Sequence, residues 1–297
     1  MIKKYFLQHW LSLALVAILV AVSALNVQPL AQAVFQQLRL VEGSKRKLPI
    51  YSVETEEKRV AISFDAAWGA DDTDKLLSIL KQYNVKSTFF LCGYWIDKYP
   101  DEIKKIFEDG HEIGNHSATH PHGGQLSLEQ NKAEIMKTHD KIKDLLGIDM
   151  NLYRPPYGEY NDTVISAAEE CRYYPIQWDV DSHDWMKKGV DYEINRVLNN
   201  KNLRNGSILL FHNDAKDTPT ALPIILRGLI DKGYTIGTVG ELIYKEDYKL
   251  DTTGRQFINV RPSSDSTSPT QNPTGAPSPS VAPSPAVSPA PEAKKKV

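Results

Sequence analysis

From Lys58 to about Lys245, short apolar runs alternate with longer amphipathic ones. The short runs are rich in branched and aromatic side chains. They predict strands at Arg59–Phe64, Ser87–Leu91, His111–Gly114, Leu152–Arg154, Tyr174–Trp178, Ser207–Phe211 and Thr235–Val239. Between them the apolar positions recur at helical spacing. This predicts helices at Asp72–Tyr83, Pro100–Glu108, Leu128–Leu146, Thr163–Glu170, Tyr192–Asn199 and Leu222–Lys232, with a short last one beginning near Gly240. Asn84, Gly110, Gly147 and Gly233 follow helical patterns where a left-handed cap is expected. Asn161-Asp162 can cap the helix that follows it, and Ser127 with Gln130 has the capping-box pattern.

Strand and helix in regular alternation argue for α/β architecture with parallel strands and crossover helices, either a closed or partly closed barrel or an open doubly wound sheet. In both, chemistry collects at the carboxyl ends of the strands. The chemical residues of this chain fall at that address. Asp65 follows the first strand, His116 and His120 the third, Arg154 ends the fourth, Asp181 and Asp184 follow the fifth, and His212 the sixth. His116 and His120, four apart with small polar residues between, can converge on one divalent ion across a helical turn. Taken alone that spacing more often marks surface histidines; the shared address of the other residues favours the metal.

The ends of the chain break the pattern. Lys3 and Lys4 precede an apolar stretch from Trp10 to Leu25, the charge and hydropathy order of a signal peptide or, uncleaved, a signal anchor over 1–34 that would tie the chain to a membrane. Residues 35–57 read as a linker. After Phe257 no aromatic residue occurs, and nine of the 18 prolines lie between Pro262 and Pro291, so 251–297 reads as a disordered Pro/Ser-rich tail. Such a tail is either a spacer through an envelope polymer or without a role. Export, to the outside of the cell or to its membrane face, is the expectation. The net charge of −2 offers no field for nucleic acid, and a monomer is expected. Two cysteines, Cys92 and Cys171, make no disulfide framework and read as buried free thiols.

Five blocks stand out in order: Ser63-Phe64-Asp65-Ala66-Ala67-Trp68-Gly69, His116-Ser117-Ala118-Thr119-His120, Arg154-Pro155-Pro156-Tyr157-Gly158, Asp181-Ser182-His183-Asp184-Trp185 and Leu210-Phe211-His212. As a set they resemble the NodB-homology polysaccharide deacetylases, carbohydrate esterase family four, over roughly 58–250. The Phe-Asp-Ala-Ala-Trp-Gly opening looks most like the sporulation-associated, PdaB-like branch.

The resemblance implies a distorted (β/α)7-type barrel and metal-assisted removal of acetyl groups from an N-acetylated cell-wall polysaccharide, peptidoglycan or a chitin-like glycan. It implies His116 and His120 as ligands of a divalent ion, zinc first, with cobalt or another transition metal as alternatives. It implies Asp65 as general base, Arg154 as the residue that orients and ionises it, His212 as general acid and Asp184 as its holder. The Tyr157 N–H would face the oxyanion, and Trp185 and Leu210 would wall the acetyl methyl. One position departs: where the family carries a second aspartate as third ligand, this chain has Ala66, and Asp71, Asp72 or waters are left to fill the gap. The rival reading is a degenerate member that binds glycan without turning it over.

For the remaining candidates the sequence favours ordinary roles. His122 and His183 suit loop positions, His111 a structural one, and Asp181 a turn. Trp68 suits equally a core gap or the rim of a sugar site. The pair Asp179 and Asp181 permits a paired-carboxylate reading that would leave the histidines unexplained.

Overall fold

The computed structural model describes residues 46–259. The expected leader at 1–34 and the tail from 260 onward lie outside the described residues. The elements, in order, are β1 (Ser52–Val53), β2 (Arg59–Ala66), α1 (Thr73–Gln82), β3 (Thr88–Leu91), α2 (Gly93–Lys98), α3 (Pro100–Glu108), β4 (Glu112–Asn115), α4 (Leu128–Leu146), β5 (Leu152–Tyr153), α5 (Asp162–Glu170), β6 (Tyr174–Pro175), β7 (Val180–Asp181), α6 (Val190–Leu198), β8 (Ile208–His212), α7 (Thr218–Asp231), β9 (Thr235–Gly237), α8 (Val239–Leu242), β10 (Tyr248–Leu250) and β11 (Arg255–Ile258).

Seven strands curl in the order β6-β5-β4-β3-β2-β8-β7, and β9 joins the start of β2. Every pairing among these strands is parallel. This is the distorted seven-strand barrel expected from the sequence. Its edges are β6 and β7. The fifth predicted strand, Tyr174–Trp178, is in fact split between those edges: β6 stops at Pro175, and a separate pair, Val180–Asp181, bonds to β8. The proline has no N–H to continue a ladder. Ile50, just before β1, bridges Ile176 in the gap, donating its N–H to Pro175 O at 2.8 Å.

β2 explains how one strand serves two layers. Val60, Ile62, Phe64 and Ala66 join the apolar cluster that also holds Leu76, Leu80 and Leu226 of α1 and α7. Ala61 packs with the second cluster of Ile50, Phe90 and Ile208, and Ser63 donates to Leu209 O at 2.8 Å. Side chains alternate along a strand, so Ala61, Ser63 and Asp65 share the inner face, and the polar end of that face is the carboxyl end.

The local punctuation is as the sequence predicts. Asn84, Gly110, Gly147 and Gly233 all have positive φ. Ser127 and Gln130 form a capping box, and Asn161 Oδ1 accepts from Val164 N. Two boundaries need correction. The linker 35–57 contains β1, and the tail 251–297 contains β11, which pairs parallel to β1 and antiparallel to β10. A polar hairpin has weak periodicity of its own; Gln256, fully buried and bonded to both backbone groups of Tyr244, fixes it to the barrel. Gly206 shows how close that packing is: with φ +80, a Cβ there would lie 1.8 Å from Val53 O. Both thiols are free; Cys92 is buried and Cys171 only partly so. Among the described residues no helix is long and apolar enough to cross a membrane.

Candidate active site

The carboxyl ends of β2, β4, β5 and β8 bring Asp65, His116, Arg154 and His212 together. Arg154 follows β5 and is fully buried. Its guanidinium lies 4.1 Å over the Phe90 ring and 5.5 Å over that of Trp178. From there Nη1 donates to Asp65 Oδ1 at 2.8 Å and Nη2 to Gln177 O at 3.2 Å. Burial pushes the Asp65 carboxyl up, but Arg154, then His116 and His212, override it and hold the acid below the usual carboxylate range.

His116 is also buried. Its Nδ1 is 2.7 Å from Arg154 O, and a carbonyl only accepts, so Nδ1 carries the proton. The lone pair is then on Nε2, 3.6 Å from Asp65 Oδ2. Burial, against the pull of Asp65, lowers the pKa of this imidazole and favours its neutral form. The His120 ring is 4.9 Å from that of His116, and burial followed by the His116 charge lowers its pKa to about 4.

The two histidines do not meet across a helical turn. Residues 117–120 form a loop after β4 in which Ser117 and His120 take positive φ, and Ser117 Oγ accepts from His120 N at 3.0 Å. Four-residue spacing is kept, with left-handed backbone in place of a helix.

The pair tests well as part of a metal site. The His116 Nε2 lone pair lies 3.6 Å from Asp65 Oδ2, and His120 Nδ1 is buried with no hydrogen-bond partner. Two neutral imidazoles suit zinc or a similar transition ion better than calcium or magnesium. Among the described residues, however, no group of three or more His, Cys, Asp or Glu has the arrangement to hold a metal. Ala66 is fully buried where the third ligand is expected. Asp72 does not replace it, since its Oδ1 accepts from Lys75 at 2.7 Å.

His212 ends β8. Its Nδ1 lies 2.7 Å from Asp184 Oδ1, while its backbone N–H donates to Asp184 Oδ2 at 2.7 Å. Thr218, at the start of α7, donates to the same Oδ2 at 3.1 Å. Burial alone would lower the His212 pKa. The bond to Asp184 and its charge, with Asp65 and Asp181 behind, raise it to about 9. His212 therefore stays protonated at neutral pH beside an ionised Asp65, the pairing that acid–base catalysis needs.

The sign of the pH effect follows. A raised imidazole pKa contributes stability that is complete below about 6.5 and is lost as pH rises through about 9. We expect the His212 ring to titrate near pH 9 by NMR. Asp184→Asn should lower it clearly, since burial is then opposed only by the charges of Asp65 and Asp181; a titration unmoved by that change would refute the assignment.

The rim carries the other predicted residues. Tyr157 sits in a 3-10 turn with φ 60, its ring 4.4 Å from His120 and stacked 4.4 Å from His122. His122 in turn pairs with Glu159 at 2.8 Å. Trp185 is 55% exposed beside Asp184, and Leu210 is buried two residues before His212, on the same face of β8. Trp68, 56% exposed and 5.3 Å from His120, belongs to the rim and not to the core. Asp181 caps a turn by accepting from His183 N at 2.8 Å, and His183 bonds Tyr192. Asp179 accepts from Ser207 Oγ and Ile208 N, a structural use of that carboxylate. His111 is structural, accepting from Ser87 N at 3.1 Å.

Sequence reasoning missed Phe90, Trp178, Thr218 and Glu193. The last is buried, and burial with the nearby Asp184 charge raises its carboxyl to about 8. Phe90 has a signal in the alternation of β3; Thr218, 34 residues from Asp184, has none.

A family model for polysaccharide deacetylases matches residues 52–176. A peptidoglycan-N-acetylglucosamine deacetylase of Bacillus cereus is 36% identical over 202 residues, 65% of this chain and 92% of that protein. The Bacillus subtilis protein YlxY, which carries no assigned activity, is 36% identical over 195 residues, 66% of this chain, and the match spans 60% of its length. Among solved structures, BA3943 of Bacillus anthracis, a CE4 family pseudoenzyme, aligns with a TM-score of 0.64 at 32% identity, covering 67% of this chain and 69% of that one. A mutant of BA3943 with restored enzymatic activity gives a TM-score of 0.64 at 33% identity, over 67% and 72%.

Proposed function

This chain belongs to the polysaccharide deacetylase family, and from that premise we propose that it removes N-acetyl groups from a cell-wall glycan, peptidoglycan in the first place. The observation that carries the reading is one cluster in which Arg154 pairs with Asp65 at 2.8 Å, Asp184 pairs with His212 at 2.7 Å and the rings of His116 and His120 lie 4.9 Å apart. Relatives named as peptidoglycan deacetylases support the substrate class. An exported chain, held at or released from the membrane, would meet that polymer. The likeness to the PdaB-like branch would place its action in sporulation.

An amide is a poor electrophile with a poor leaving group. A divalent ion held by His116 and His120, zinc by preference, would supply the Lewis acidity that activates water and polarises the acetyl carbonyl. The chain's own groups do the rest. Asp65, kept ionised by Arg154, takes the proton of the attacking water. His212, kept protonated by Asp184, delivers one to the leaving amine. The Tyr157 N–H faces the developing oxyanion, a donor type commonly worth about 3 kcal/mol. Trp185 and Leu210 exclude water around the methyl group.

The test is acetate release from peptidoglycan and from N-acetylglucosamine oligomers, with and without added zinc or cobalt. Asp65→Asn should lower the rate by about 10²–10⁴-fold, and replacing both His116 and His120 by Ala should abolish metal retention. Release unchanged in Asp65→Asn would remove the assigned base. Ala66 and the likeness to a pseudoenzyme favour one second reading, a glycan-binding envelope protein; oligomers bound with no acetate released at any metal concentration would establish it.

A further inference from the structure

The segment from His116 to His120 keeps an unfavourable backbone. Ser117 and His120 have φ of 67 and 55, a region that residues other than glycine rarely adopt. Such a conformation persists only where the surroundings over-determine it. Here every backbone N–H of the segment is bonded. His116 N donates to Leu91 O at 3.0 Å, Ser117 N to Asn115 Oδ1 at 2.9 Å and His120 N to Ser117 Oγ at 3.0 Å. The remaining two go to one atom. Glu134 Oε2, in the first half of α4, accepts from Ala118 N at 3.0 Å and from Thr119 N at 2.8 Å. It also accepts from Thr119 Oγ1 at 3.1 Å.

Among the described residues the Glu134 side chain bonds to nothing but this loop. Three donors on one oxygen suit a carboxylate, whose hydrogen bonds are roughly twice as strong as those of a neutral acceptor. The next residue, Ile135, is fully buried and fixes the rotation of α4 at this point. Its carbonyl accepts from Asn115 Nδ2 at 2.8 Å, so one turn of α4 steadies both Asn115 and Glu134. On the carbonyl side of the loop, Ser117 O and Ala118 O accept from Gly93 N and Tyr94 N of α2 at 2.9 and 3.1 Å. A Cβ on Gly93 would lie 2.8 Å from Ala118 Cα, so the loop has no room to shift that way.

The consequence lies at the two imidazoles. A site with few protein ligands gains most from ligands already in place, because little freedom is then lost on binding. We propose that Glu134 is a positioning residue for the ion, holding the His116–His120 loop in its binding shape before any metal arrives. The inference rests on the metal part of the function proposed above and needs no turnover.

The experiment is titration of the full, metal-free chain with cobalt(II) alone, followed by visible absorption. Hydrogen–deuterium exchange of the loop amides is measured beside it, without metal. Glu134→Leu should weaken cobalt binding about 10–100-fold and speed exchange at Ala118 and Thr119. Glu134→Gln keeps an acceptor oxygen and should restore most of the affinity. If Glu134→Leu does not fold, Glu134→Asp, one methylene short of the loop, takes its place with the same expectation. Cobalt bound as tightly by Glu134→Leu as by the parent, whatever its melting temperature, would overturn the proposal and leave the metal reading intact. An equal loss in Glu134→Gln would also overturn it, since charge and not position would then be the cause. A parent chain that binds no cobalt would remove both.

Discussion

Replacing Arg154 by Met is expected to destabilise the fold by about 3–5 kcal/mol and to remove activity. Arg154 is fully buried and Asp65 is 6% exposed, so the change leaves a carboxylate in the interior without its main counter-charge. Methionine fills part of the space beneath Phe90 and Trp178 but supplies none of the donors. The surviving Asp65 then escapes its cost by taking up a proton, since burial now acts without its main opponent. A protonated Asp65 is no base. The diagnostic is a cycle. Adding Asp65→Asn to Arg154→Met removes the stranded charge and should recover most of the lost stability, with activity still absent. Denaturant melts of the four proteins decide it. If the double variant is no more stable than Arg154→Met, the loss comes from packing around the guanidinium and not from the ion pair.

The second large effect is a gain. Ala66→Asp should convert a weak two-imidazole site into one with three protein ligands, tightening zinc by about 100-fold or more. Position 66 is next to the site through the backbone: Ala66 O accepts from Cys92 N at 3.0 Å, and Cys92 Sγ donates to His116 O at 3.1 Å. Without metal the new carboxylate is buried among Phe64, Leu91 and Cys92 and should lower stability by several kcal/mol. With zinc at 1,000 times Kd, about 4 kcal/mol returns by mass action. The expected signature is therefore a melting temperature low without zinc and strongly raised by it, together with a faster rate of acetate release. Alternation along β2 aims the residue-66 side chain at the helical layer, so coordination requires this last residue of the strand to turn toward the histidines; a variant equally unstable at every zinc concentration would mean that it does not turn and that the chain binds its ion by another route.

Both predictions concern contacts between segments far apart in the chain, and they mark how much was legible beforehand. The five blocks named the residues that gather at the carboxyl ends. The loop that brings His120 back to His116 was misread as a helical turn, because spacing alone does not distinguish a helix from two left-handed residues. The split of the fifth strand at Pro175 was missed because its apolar run continues through Ile176 and Trp178. Those side chains pack inside the barrel without forming a strand. α2, whose start is set by Gly93 and Tyr94 donating to Ser117 O and Ala118 O, has too few residues to show a helical period.

By itself the sequence determined the repeated strand–helix units, their caps and the address of the reactive side chains. Each of these depends on residues within a few positions of one another, where backbone preference and apolar spacing act directly. Only the tertiary structure decided that Arg154 O fixes the His116 tautomer, that Thr218 braces Asp184, that β11 seals β1, and that no group of three His, Cys, Asp or Glu side chains is arranged to hold a metal among the described residues. Those outcomes depend on strand order and register across the whole sheet. A hydrogen bond or an ion pair is set by a few tenths of an ångström between groups that the chain brings together only after it has folded.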